Sequence, residues 1–169
     1  MIAFLGGCGP GWYMEGTAEL LGTHRLDEQT GQLTLDIMPR SREEVPMLGR
    51  IKLLDDAIAD HRVMTLPAVM QLNNRKQLGN EAYAWCWAAT IFLDRHPLTQ
   101  TAFRELKSST KDRSLEFSKQ FLDRLKTDWP AIVEDWQLFA FECDYGYDIP
   151  RAAVQRKPAA NLPPAGATV

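Results

Sequence analysis

The densest apolar stretch of the chain runs from Asn80 to Arg95, where Thr90 alone is plainly polar between Ala82 and Leu93. A helix that is apolar all round is buried on every side, so this segment predicts the central helix of the fold. Elsewhere the apolar positions recur at amphipathic spacing. Leu48, Ile51, Leu54, Ala57 and Ile58 mark a helix over Leu48 to Asp60. Thr65 stands where an N-cap would, before a short helix starting near Pro67. Pro10 to Leu21 reads as a helix with proline in its first turn and Gly22 as its stop. Three more helices are expected at about Thr99–Lys107, Ser114–Lys126 and Trp129–Glu142, the last capped by Asp128 and burying Ile132, Val133, Trp136, Phe139 and Ala140. Period-two alternation appears once. Leu33, Leu35 and Ile37 follow the polar turn Asp27 to Gly31, which predicts a β-hairpin pairing His24–Leu26 with Gln32–Ile37. The fold class is therefore mostly α with one short β-hairpin near residues 24–37.

Composition narrows the function classes. With 169 residues, 45% hydrophobic and 24% charged, the chain suits one globular domain over residues 1–150. Residues 151–169 become rich in proline and alanine and read as a disordered linker or tail. A net charge of −3 argues against a nucleic-acid surface, and the basic residues from Arg104 to Lys126 are interleaved with Glu105, Asp112, Glu116 and Asp123. No run approaches the ~20 apolar residues a membrane span needs, so no membrane partner is expected. Cys8, Cys86 and Cys143 form no C-x-x-C pair, and Cys86, in its apolar run, is expected to be reduced and structural. Small residues precede Cys8, but the start lacks the charge and length of a lipoprotein signal. The abrupt apolar start at Met1 is the pattern expected of a cut through a domain.

One cluster carries candidate chemistry. In Trp12-Tyr13-Met14-Glu15-Gly16-Thr17-Ala18-Glu19 the two glutamates stand four apart, so both carboxylates share a helix face and repel each other. Solvent, a cation or a donor from another segment must offset that repulsion. A divalent metal with a ligating histidine is one solution, and two exposed glutamates on a surface helix are the plain alternative.

Pro10 to Glu19 resembles the second zinc-binding segment of gluzincins, the superfamily of thermolysin and the aminopeptidase-N-like enzymes, where a tryptophan precedes Glu-Gly-x-Ala-Glu or a near variant. The resemblance implies that Glu15 is the third ligand of a His₂Glu zinc site with one open position. It implies that Glu19 orients a ligating histidine through its ring N–H. Glu81-Ala82-Tyr83-Ala84-Trp85 is similar to the segment carrying the transition-state tyrosine of the aminopeptidase-N-like branch, which makes Tyr83 the candidate oxyanion donor. The Lys-Gly that follows in those enzymes is Trp85-Cys86 here, and a core tyrosine on an apolar helix is the alternative. The end of the domain, Asp135 to Phe139 and Asp144 to Asp148, resembles the close of a bacterial peptidase-MA-like branch of unknown function.

The likeness covers residues ~10 to ~150 and implies the helical C-terminal lobe of a gluzincin-like domain. The family's H-E-x-x-H precedes the ligand glutamate by roughly twenty residues. Glu15 has fourteen residues before it, and His24, His61 and His96 form no such motif. The expectation is a C-terminal portion of a zinc metallopeptidase-like domain, acting on a peptide or protein substrate when complete and inactive alone, with no zinc tightly bound. In the complete unit zinc would polarise the scissile carbonyl, and the motif glutamate would be the general base. His24 is expected to be an exposed turn residue, and His61 and His96 to sit at helix ends with no site role. A covering segment or partner is expected over an apolar N-terminal face near Phe4 or Trp12. The competing reading is a non-catalytic helical interaction module on the same scaffold, and a weaker third is an unrelated helical protein.

Overall fold

The computed structural model describes residues 7–44, 49–72 and 79–153. Helix α1 (Gly11–Gly22) leads into a two-stranded antiparallel sheet, β1 (His24–Leu26) and β2 (Leu33–Leu35). Then come α2 (Arg50–Ala59), α3 (Leu66–Met70), α4 (Asn80–Arg95), α5 (Gln100–Glu105), α6 (Leu115–Leu125), α7 (Trp129–Glu142) and α8 (Ile149–Ala152). Short 3₁₀ turns occupy Arg42–Glu44 and Leu106–Ser109. The fold is mostly helical, as the patterning predicts.

Helix α4 is the axis of the molecule, packed by α1, α2, α3, α5, α7 and α8. Every residue from Ala84 to Asp94 is buried. Around it gather Trp12, Trp85, Trp87, Trp136, Phe92, Phe117, Phe121 and Phe139, all fully buried. Their rings meet at tilted and edge-on angles, as in the Phe92–Trp136 contact at 5.4 Å and 78°, the arrangement that ring quadrupoles favour. Thr90, the polar exception, lies at the crossing of α1 and α4. Its hydroxyl stands 3.0 Å from the Gly16 carbonyl and within hydrogen-bond reach of the Cys86 and Trp87 carbonyls, so its proton always has an acceptor.

Caps and turns follow local chemistry. Thr65 accepts a bond from the Ala68 N–H at the start of α3, and Ser114 accepts from Glu116 N–H at the start of α6. Asp128 makes no side-chain cap bond to α7, and Pro130 alone sets that start. Gly22 is not a left-handed stop. It is the last residue of α1, and Thr23 closes the helix by donating its hydroxyl to the Glu19 carbonyl at 2.9 Å. In the hairpin turn Asp27 accepts from the N–H groups of Gln29 and Thr30, which holds its carboxyl below the usual range, and Gly31 takes φ +68°.

The hairpin forms where the alternation predicts, and its leucines are exposed. Strand registers pair His24 with Leu35 and Leu26 with Leu33, so Leu26, Leu33 and Leu35 share one face. That face is open to solvent, with Leu26 57% exposed, and burial begins beyond β2 at Ile37 and Met38. Helix α8 ends at Ala152, two residues past the expected domain boundary at 150. The rest of the expected tail, 154–169, lies outside the described residues, as does Leu48.

Candidate functional site

Helix α1 places the glutamates. Its Gly16 meets α4 so closely that an added Cβ would lie 2.5 Å from the Cys86 carbonyl oxygen and 2.4 Å from Thr90 Cγ2. This contact fixes the rotation of α1. Trp12, Tyr13, Gly16 and Leu20 turn into the core, while Glu15 and Glu19 stay half-buried beside it. Both carboxylates come within electrostatic reach of the Cys86 thiol. Burial first, then Glu15, then Glu19, pushes that thiol up to about 12. Tyr83 lies one turn before Cys86 on α4 and is half-buried. The structure thus brings Glu15, Glu19 and the first turns of α4 to one helix–helix contact.

The repulsion between the glutamates is offset in part by a donor from another segment. Arg50, the first residue of α2, directs Nε (2.8 Å) and Nη2 (2.5 Å) onto Glu19 Oε2. With both side chains more than a quarter exposed, such a pair is worth at most about 1 kcal/mol and acts mainly to orient Glu19. Sequence reasoning missed Arg50, because 31 residues separate it from Glu19 and no local pattern links them.

The histidines do not join the glutamates. His24 is exposed, and its Nδ1 lies 2.9 Å from the Gly22 carbonyl. His61 is exposed just after α2, with φ 57°. His96 stands at the end of α4, as its expected helix-end position requires. It is 1% exposed, with Nε2 3.0 Å from Asp135 Oδ2. Its Nδ1 accepts from the Leu98 N–H, so the imidazole fits as the Nε2–H tautomer donating to Asp135. This pair ties α7 to the end of α4. Asp135 is buried inside the apolar stripe of α7, a placement helical spacing hints at only in hindsight.

Among the described residues no three of His, Cys, Asp and Glu gather closely enough to hold a metal ion.

Trp12 itself is not exposed at the expected apolar N-terminal face. Trp12 is 0% exposed, its indole N–H donates to Ser118 Oγ at 2.8 Å, and its ring packs on Tyr13 and Phe117. Helix α6 is what covers it, because the Phe117, Ser118 and Phe121 face of α6 turns inward. Phe4 lies outside the described residues. The three cysteines are free and buried, and Cys8 Sγ accepts from Arg113 Nη2 at 2.6 Å and Nε at 3.2 Å. None of the described helices is long and apolar enough to cross a membrane. No family model, curated protein or solved structure matches the chain.

Proposed function

We propose that the chain is the C-terminal helical portion of a zinc metallopeptidase-like domain and does not hydrolyse peptides by itself. In this reading Glu15 is a metal ligand, Glu19 orients a ligating imidazole, and the Tyr83 hydroxyl donates to the oxyanion formed on a peptide carbonyl. What supports it most is the meeting of two separate sequence segments at one helical contact. The half-buried Glu15 and Glu19 of α1 face Cys86, one turn from Tyr83.

The remaining ligands have to come from an H-E-x-x-H segment that this sequence does not contain. Zinc titration of the chain is expected to give affinity no better than about micromolar, in line with a single carboxylate ligand. Joined to an H-E-x-x-H segment encoded in frame in its own gene, the protein should hold one zinc per molecule and lose it on Glu15→Ala. Full zinc retained in Glu15→Ala would overturn the assignment of Glu15. A gene without such a segment would favour the second reading, a helical interaction module, for which the exposed leucines of the hairpin are the supporting observation.

A further inference from the structure

The foot of the hairpin holds an uncompensated carboxyl. Asp36 directly follows β2 with its backbone in the left-handed region at φ 55°, a conformation aspartate tolerates. Its carbonyl accepts from Arg95 Nη2, which fastens the hairpin to the end of α4. Its side chain lies against Asp94, and its Oδ1 is buried with no hydrogen-bond donor. The nearest cation to that oxygen is Arg95 Nη2 at 3.7 Å, beyond hydrogen-bond length. Asp94 is itself buried, and its carboxylate is fully engaged by Arg104, through Nε to Oδ1 at 2.8 Å and Nη2 to Oδ2 at 2.9 Å.

The charges are therefore unequally shared. Arg104 is committed to Asp94, and Arg95 to a backbone carbonyl. Two carboxyls meet side by side with a strong partner for only one of them, so a proton on Asp36 turns repulsion into a hydrogen bond. Asp36 and Asp94 also line a cavity of about 300 Å³, walled by Tyr13, Leu20, Leu21 and Phe103, with Lys107 at its edge. The hairpin foot is one wall of this groove, and it leads straight into the buried Ile37 and Met38.

We propose that the Asp36–Asp94 pair is a proton-operated latch, holding the hairpin foot against α4 while Asp36 is protonated and loosening it, with the groove wall, once the proton leaves. Burial, the largest influence, pushes the Asp36 carboxyl from 3.8 up to about 7, against the pull of Arg95. The docked hairpin thus binds a proton that the released hairpin gives up. Docking is at full strength below 3.8, weakens as pH rises toward about 7, and changes no further above it. The other groups around the pair are Tyr13, whose hydroxyl burial also pushes up, and Lys107. His24 belongs to the hairpin but is exposed, on the Gly22 carbonyl.

The test is carboxyl carbon NMR together with amide exchange of His24–Leu26 and Leu33–Leu35, corrected for intrinsic rates. Asp36 should titrate near 7, and hairpin protection should fall by up to about tenfold per pH unit between the ordinary and raised values. Asp36→Asn keeps the shape, suits the left-handed backbone and carries no charge, so its protection should be flat with pH. His24→Gln should keep the wild-type slope. An Asp36 carboxyl titrating in the ordinary carboxylate range, a flat wild-type profile, or a wild-type slope in Asp36→Asn would each overturn the latch.

Discussion

At Gly16 a single hydrogen atom decides how near two helices come. A methyl group there would meet the backbone of Cys86, which cannot swing aside as a side chain could. Gly16→Ala should therefore destabilise the protein by about 1–3 kcal/mol despite the better helix propensity of alanine, measured by urea unfolding. A neutral or stabilising effect would show that α1 can slide on α4. Thr90→Val removes the donor at the same crossing and should cost about 1 kcal/mol, more if the Gly16 carbonyl finds no water. Cys86 and Cys143 sit where burial, joined by nearby carboxylates, pushes their thiols up to about 12. They should resist iodoacetamide at pH 8 in the folded protein and react after denaturation, because the thiolate is the nucleophile. Rapid native labelling of Cys86 would contradict the burial of this contact.

Among the elements, α4 and the hairpin stand at opposite ends of stability. Amides from Ala82 to Leu93 should exchange only through near-global opening, whereas those of the hairpin, which buries almost nothing, should exchange through local opening. Equal protection in both would mean that the hairpin leucines are covered in solution. The sequence made α4 fully legible, since nothing but burial explains eleven apolar residues in twelve with Thr90 between them. Helix α7 was legible in extent but not in its buried charge. Asp135 looks like a solvent-facing residue until His96, 39 residues away, is placed beside it. The hairpin was legible in pairing and not in burial, because alternation fixes which side chains share a face and says nothing of what covers that face. At the candidate site, the shared face of Glu15 and Glu19 follows from spacing. Arg50, Asp36 and Arg104 could not be found that way, because their partners lie 31, 58 and 10 residues off, across turns that periodicity does not describe.

For the molecule as a whole, one aromatic core joins most of the helices. Trp12, Trp85, Trp87 and Trp136 report from α1, α4 and α7 at once. Unfolding followed by tryptophan emission and by far-ultraviolet circular dichroism should therefore give coincident midpoints, the mark of a single cooperative unit. Separate midpoints would divide that core. The crossing of α1 and α4 has a bearing on descent as well. Gly16 lies inside the same five residues as Glu15 and Glu19, yet its role is steric, and it is shared with Thr90 on another helix. Scaffold and chemistry can thus drift on separate clocks. A diverged cousin that keeps glycine at 16 with a small hydroxyl at 90, but has lost the acid at 15, would have inherited the architecture without the proposed metal ligand. One that keeps the acid while enlarging position 16 must have rebuilt the crossing. Tracing those two positions apart from Glu15 would date the scaffold independently of the acid it carries.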